Sequence, residues 1–532
     1  MSVPAAGPKP STLDSLARGS TIALAGLLAN AVLGFALVVI VTRGLGADGA
    51  GVFFELVAFF SIVTALAELG AGPGLVRGIS RARAGGERYE VPSLLHVAAW
   101  PVVFTSCLAA GATLLLAPAI TTLLDLPPEA RASVRILAPF IPLGVLTAVA
   151  LAATRGYGRV GPYVRVELLT KPVLRPILVG LAIGLGFGPL AVVLAWVLPT
   201  ALALPFAAVA AMAIVRQAPG PAPQEVEPIR QTARRFWAFA APRGVATFMG
   251  ICLVWVDVIL VGVLTSHGEA GIYAAVARLV YVGVLALEAM RLVLAPHFSG
   301  HLAKGLHSGA EQLYRVGTWW VIAVSWPFYL VVAVWAPTIL SIFGSEFTAG
   351  QHALFVLAMF MMVDVAVGNV NVVLLMAGKS VWNLVNTTAA VATIVALNLI
   401  LVPKLGIVGA GVAWGAAMLV NNIVPLVQIK RSIGMTPLGS GFFIAAGTAL
   451  ACFGGIGLAA RSLFGEGVVQ MAASTMLALG IYACVMYRLR SKLHLGLLTT
   501  AVGGWMAKMR GKSSTASDAP SRSGEAVLQA DQ

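Results

Sequence analysis

Asp257 and Arg278 are the residues of this sequence that most demand a chemical reason, because each lies well inside a run of apolar side chains. A charge near the middle of a bilayer costs roughly 2.5–3.5 kcal/mol, so such groups are kept for a partner or for a function. Counted from the turn between the apolar runs 239–265 and 271–292, the two share a depth of ~10–12 Å at about 1.5 Å per helical residue. Two readings stay open at this point. Either the pair pins two neighbouring helices together, or Arg278 faces a cavity as a ligand contact while Asp257 orients it or takes part in ion coupling. Asp364 is the deepest acid, about fourteen residues into the run 350–376, which holds no basic residue. It reads as a neutral acid hydrogen-bonded to Asn369 or Asn371, with a coupling role as the alternative. Asn383, Asn386 and Thr387 recur at helical spacing in the run 382–402, as interhelical hydrogen-bonding groups do.

Other charges cluster at the ends of the runs. Arg18-Gly19 and Arg243-Gly244 open two of them, Arg43 closes the first, and Glu68 and Glu288 stand near the ends of the second and the eighth. Glu288 has Arg291 one helical turn on, which suits a surface pair, and closing a gate is its alternative role. Glu55 is placed to pair with Arg43 across a short turn. His297 and His301 stand at i, i+4 with His307 following, a spacing that metals use, but no carboxylate lies at ligand spacing and no metal site is assigned. The stretch 299–315 reads as an amphipathic helix along the membrane interface. No nucleotide-binding loop or catalytic triad is present in the sequence, so the reading is of a protein that is not an enzyme and takes its energy from an ion gradient, the membrane potential or removal of product.

The elements that must position these groups are membrane helices. Of the 532 residues, 59% are apolar and 11% charged, about half the charge of an average soluble domain. The apolar residues fall into fourteen blocks of about twenty, each long enough to cross a hydrocarbon core of roughly 30 Å. The net charge of +14 would suit nucleic acid in a soluble protein. Here it is a topology signal. With both termini cytoplasmic, the outward segments hold only Arg43, Arg131, Arg135, Lys404 and Arg461, Arg278 lies within a span, and the other Lys and Arg count as inward. The basic inner face attracts anionic lipid, and nucleic acid is not needed to explain it. Cys107, Cys252, Cys452 and Cys484 all sit in apolar blocks as small hydrophobes.

A second copy of the first half follows about 220 residues on. Ala50-Gly51-Val52-Phe53 recurs as Ala270-Gly271-Ile272-Tyr273, Glu68 falls on Glu288, Gly158-Arg159 on Gly378-Lys379, and Ala195-Trp196 on Ala413-Trp414. The fold expected is therefore all-α and polytopic. Residues 1–216 form a lobe of six spans, 217–238 a cytoplasmic linker, 239–431 a second lobe of six the same way up, 432–487 two further spans, and 488–532 a cytoplasmic tail disordered at its end.

Thr42-Arg43-Gly44-Leu45-Gly46 followed by Gly49-Ala50-Gly51-Val52-Phe53, the 257–273 junction, and Leu405-Gly406-Ile407-Val408-Gly409-Ala410-Gly411 resemble the corresponding turns of polysaccharide and lipid-linked oligosaccharide flippases. These form a branch of the multidrug/oligosaccharidyl-lipid/polysaccharide exporter superfamily, which also includes the lipid II flippases. The resemblance covers about residues 12–490 and implies a V-shaped pair of lobes around a central cavity. Through it, an isoprenoid-diphosphate-linked glycan head group would pass from the inner to the outer leaflet of a prokaryotic cytoplasmic membrane. Arg18, Arg43, Arg243 and Arg278 would then meet phosphate or sugar, since a diphosphate crossing a membrane must exchange hydration for guanidinium forks. Asn383, Asn386 and Thr387 could supply oxygens to Na⁺ alongside Asp257, as in the lipid II flippases; H⁺ coupling is the alternative. Glycosyltransferases or a polymerase of the same pathway are the implied protein partners, and membrane lipids the surroundings. An ion-coupled drug antiporter of the same superfamily and a membrane glycan-processing enzyme are the competing readings. A cationic cavity argues against the former for cationic drugs, and the short outward loops argue against the latter.

Overall fold

The computed structural model describes residues 12–87, 89–216, 228–291, 298 and 307–493. Among them the chain is entirely helical, with no strand. Ten helices are long and apolar enough to cross a membrane, or eleven if the bent pair His267–Val282 and Leu285–Arg291 is counted as one crossing. Two of the ten are far longer than one crossing. Helix α1 (Thr12–Glu68) runs for 57 residues and breaks at Gly46, and α17 (Ser380–Ser432) runs for 53 and breaks at Gly406. Both glycines have positive φ, 68° and 55°, which a residue with a Cβ adopts only with strain. Each break joins two helical stretches across a kink with no loop between them. Side chains such as Leu115, Leu123, Phe464 and Val469 stand exposed around the outside, as suits helices solvated by lipid. The chain is thus a multi-pass membrane protein.

Two pairs of positions that match between the halves of the sequence have similar surroundings. Gly158 and Gly378, which match in sequence, both close turns with φ near 80°, at 81° and 78°. Trp196 of α9 (Pro189–Arg216) packs edge-on against Phe53 and Phe60 of α1, and Trp414, its match in the second half, packs edge-on against Tyr281 of α11 (His267–Val282).

The halves meet most extensively where α1 crosses α11. The repeat-equivalent glycines Gly51 and Gly271 face each other at this crossing. A Cβ added to Gly51 would lie 1.7 Å from the His267 carbonyl oxygen, and one added to Gly271 2.2 Å from that of Ala47. Small residues at spacing four let the two backbones touch. A second close approach lies toward the other end of the bundle, where Gly70 meets Ala240 and Gly244 of α10 (Ile229–Leu264); a Cβ on Gly244 would lie 2.4 Å from the Leu69 carbonyl oxygen.

Two expectations shift at the element boundaries. Helix α10 begins at Ile229, inside the expected linker 217–238, of which 217–227 lie outside the described residues. The described part of the expected interfacial helix, from His307 to Arg315, is the opening of α13 (His307–Val334), continuous with that long helix. His297 and His301 lie outside the described residues, as does the His307 side chain, and no group of metal-ligating side chains occurs among the rest.

Candidate functional site

A cavity of about 580 Å³ lies between the two halves, bounded by the two glycine contacts. Aromatic rings dominate its wall, with Phe53, Phe60 and Trp196 from the first half and Trp255 and Tyr281 from the second. Three charged side chains enter it, Glu68, Arg175 and Arg278.

Arg278 projects from α11 over the indole of Trp255, its Cζ 3.8 Å from the ring centroid, with Tyr281 at 5.9 Å. Arg175 comes from α8 (Lys171–Gly184) and lies on Trp196 at 4.5 Å. A guanidinium stacked by its face is held in place by cation–π attraction while its N–H edge stays free for an oxyanion. Each half thus presents one stacked arginine to the same space. Neither forms a contact ion pair among the described residues.

Asp257 and Arg278 act on each other through space but share no hydrogen bond or contact ion pair. Asp257 is buried, 2% exposed, and its oxygens accept from the Tyr273 hydroxyl at 2.6 Å and the Val258 amide at 2.9 Å. Equal depth on neighbouring helices is not sufficient for pairing. Side chains also have to share an azimuth, which turns by about 100° per residue. Arg175 is the cation that the sequence reading passes over. It lies within the apolar run 166–187, yet the charge tally groups it with the inward flank. The signal available was the interruption Lys171-Pro172-x-x-Arg175-Pro176 inside that run.

The remaining site candidates fall into separate places. Arg43 donates from Nε to the Ile342 carbonyl at 2.7 Å and from an Nη to that of Ser341 at 2.9 Å, tying the first half to the second near the Gly46 turn. It does not line the cavity. Glu346 accepts from the Ala47 amide at 2.8 Å in the same region. Glu55 pairs not with Arg43 but with His267, Oε1 to Nδ1 at 2.9 Å, while His267 Nε2 meets the Asp125 carbonyl at 2.9 Å. Glu68 accepts from the Gly72 amide at 3.2 Å. Arg18 falls in the first turns of α1, its side chain outside the described residues.

A second, polar cavity of about 350 Å³ lies within the second half and gathers Arg243, Glu288, Asp364, Asn371, Asn383 and Thr387 among its lining. Asp364 of α15 (Gln351–Val367) accepts directly from Asn422 Nδ2, and Asn371 donates to Asn422 Oδ1 at 3.3 Å. Asn371 Oδ1 is buried with no partner. Thr387 donates to Asn421 Oδ1 at 3.2 Å. Asn386 is turned away into a reciprocal pair with Gln428, at 2.8 and 3.1 Å, and Asp257 lines neither cavity. Glu288 bonds Arg291 at 3.4 Å.

The Glu55–His267 contact carries an expected result of its own. Glu55 is 1% exposed and its Oε2 has no partner, so His267→Ala strips a buried acid of its remaining side-chain donor. Stability should fall by about 1–3 kcal/mol, read as a lowered thermal midpoint in detergent, and His267→Gln, which keeps a donor, should recover part of it. An unchanged midpoint for His267→Ala would show that the contact contributes nothing.

A family model described as polysaccharide biosynthesis protein matches residues 16–301. Agl15 of Haloferax volcanii, named as a probable low-salt glycan biosynthesis flippase, is 25% identical over 202 residues, which are 37% of this chain and 42% of that protein. The match therefore spans less than half of that relative. Among solved structures, the lipid II flippase MurJ in an inward closed conformation superposes with a TM-score of 0.65 at 12% identity, covering 91% of this chain and 100% of that one. An inward-facing multidrug resistance MATE family transporter of the MOP superfamily superposes at 0.62 and 17% identity, covering 78% and 98%. At such identities the likeness is one of fold. The family match extends over more than half of the sequence, and the chain belongs to the polysaccharide biosynthesis protein family.

Proposed function

We propose that this protein flips a polyprenyl-diphosphate-linked oligosaccharide or polysaccharide repeat unit from the inner to the outer leaflet by alternating access. The observation that carries the reading is the cavity between the halves, into which each half sends one arginine stacked on tryptophan. Two forks on opposite walls suit a diphosphate, and the aromatic walls suit sugar faces. The MATE-like fold would equally serve drug export, but a cavity with two guanidiniums and one carboxylate repels cationic drugs. Family membership and the naming of Agl15 and MurJ as flippases point the same way.

In this reading the breaks at Gly46 and Gly406 divide α1 and α17 into two crossings each, and with the bent pair His267–Arg291 and the irregular helix Gly161–Gly184 counted as one crossing each the total is fourteen. Residues 1–216 and 239–431 are two six-span lobes that rock about the cavity, 432–487 add two spans, and both termini are cytoplasmic in the cell membrane. Arg18 and Arg243 stand at the cytoplasmic mouth as the first contacts of the head group, and Arg43 latches the outer contact. Asp364 with Asn371, Asn383 and Thr387 is the place for Na⁺ or H⁺ coupling, because it joins an acid to a partnerless amide oxygen in a polar cavity. Glycosyltransferases or a polymerase of the same pathway supply and consume the glycan.

Loss of the protein in its host should trap the lipid-linked glycan in the inner leaflet, measured by accessibility of its sugars to an impermeant reagent. An unchanged leaflet distribution, in cells with no redundant transporter, would remove the proposal.

A further inference from the structure

Behind Arg175, inside the first half, lies a third cavity of about 250 Å³, well above the roughly 10–15 Å³ that one water needs. It shares Phe60, Thr64 and Arg175 with the central cavity, so the two adjoin across the Arg175 guanidinium. Its basic side chains are Arg155, Lys171 and Arg175, and its acid is Glu167. Lys171 is buried and spends its charge on Glu167 at 2.6 Å. That leaves the two arginines, and even with Glu68 of the central cavity counted against them the group carries excess positive charge.

Four other polar atoms here lack partners. Arg155 Nε, Arg175 Nε, Thr64 Oγ1 and Thr200 Oγ1 are all buried with no hydrogen bond, and Thr200 is only 2% exposed. Buried donors are almost always satisfied in native proteins, so four orphans around one cavity point to a missing acceptor. Arg155 lies on Tyr163 at 4.5 Å as Arg175 lies on Trp196, each held by its face with the edge unspent. The helix that carries the group is irregular. Val164–Thr170 is a π-helical turn, followed at once by Lys171 and by Pro172, which has no N–H to give the preceding turn. Such turns widen a helix locally and re-aim its side chains.

We propose that this pocket is an anion site for a phosphate or diphosphate group, with Arg155 and Arg175 as forks and Thr64 and Thr200 as hydroxyl donors. The ligand is an oxyanion because the unspent groups are donors, and a phosphate rather than a single carboxylate because two forks and two hydroxyls exceed what one carboxylate accepts. For its source the proposal rests on the flippase reading, in which the substrate's diphosphate reaches the pocket past Arg175. A free phosphate or diphosphate is the other source of the same chemistry.

The test uses the full chain in lipid nanodiscs, titrated with inorganic diphosphate by calorimetry. An Arg278→Gln background keeps the central cavity from contributing its second fork. Diphosphate should bind in this background, Arg155→Gln should weaken it tenfold or more, and Thr200→Val should weaken it about threefold. Because Thr200 Oγ1 has no partner to orphan, Thr200→Val should fold normally and keeps the test valid if Arg155→Gln does not fold. Undiminished affinity in both variants, or no diphosphate binding by the protein at millimolar concentrations, would overturn the site. Displacement of inorganic diphosphate by a polyprenyl diphosphate in the nanodisc would assign the lipid-linked source; titration unaffected by that lipid would assign the free anion, with the site intact. The flippase reading fails separately, if reconstituted protein moves no lipid-linked glycan while the Arg155-dependent binding persists.

Discussion

Arg278→Ala protein that inserts normally should lose flipping by roughly 10- to 100-fold, the factor that one charged hydrogen bond of about 1.5–3 kcal/mol makes in the rate. The expectation follows from what Arg278 does not touch. It stacks on Trp255, lines the cavity, and leaves Asp257 to the Tyr273 hydroxyl and the Val258 amide. Removing it therefore orphans no acid, and the protein should fold. Asp257→Ala, in contrast, leaves a buried tyrosine hydroxyl without its acceptor and should destabilise the packing of α10 on α11. If the two residues are independent, their effects on the thermal midpoint add, with a coupling near zero; a buried ion pair would instead make the double variant more stable than the sum predicts. Arg278→Lys separates charge from geometry. An ammonium keeps the charge but lacks both the planar stack and the bidentate edge, so it should restore only part of the transport. A well-inserted Arg278→Ala protein that flips substrate at the normal rate would sink the binding role.

What the sequence reveals about this site divides along a physical line. Depth is legible, because hydropathy measures position along the membrane normal. The apolar blocks and the near-equal distance of Asp257 and Arg278 from the turn between their helices are readings of that kind. Azimuth is not legible, because neighbouring helices can turn any face toward one another. That is why Asp257 looks like a contact partner for Arg278 and instead takes the Tyr273 hydroxyl, and why Glu55 finds His267 of the other half instead of the nearer Arg43. The same limit hides Asn422 as the partner of Asp364, since Asn369 and Asn371 are closer along the chain. Arg175 was lost for another reason. Its run is interrupted by Lys171, Pro172 and Pro176, so the charge is grouped with the flank although it stands near the middle of the run and turns inward to a cavity that hydropathy does not detect.

The repeat shows the limit most directly. The match of Gly51 to Gly271 is plain in the sequence, but a repeat does not say where its copies touch. They touch at those glycines, and near-symmetrically: Gly51 lies against His267 and Gly271 against Ala47, with His267 the repeat match of Ala47. Such a self-contact is expected on the pseudo-two-fold axis of two parallel copies, because only there do equivalent residues meet.

With both termini cytoplasmic, as proposed, the Gly51–Gly271 contact is the outer one, and Gly271→Leu should hold the protein open toward the outside. A Cβ at this position would sit 2.2 Å from the Ala47 carbonyl oxygen and 2.8 Å from the Gly51 amide nitrogen. Both are backbone atoms that no rotamer change can move, so the helices must separate by several ångströms. Glycine tolerates the approach because it has no side chain. The contact is made only between the halves, so each half should still insert and pack. The equilibrium should shift toward the conformation in which α1 and α11 are apart, since the substitution penalises one state alone. A cysteine replacing Ser61, which lines the central cavity, reports the shift in a background without the four native cysteines. An impermeant maleimide added outside should label it far faster with Gly271→Leu than without, and flipping should fall by more than tenfold because the outer gate no longer closes. Gly244→Leu at the opposite contact should give the mirror result, with labelling favoured from the cytoplasmic side. Normal flipping and unchanged labelling in Gly271→Leu would mean that the crossing is static packing and that the halves do not part there during transport.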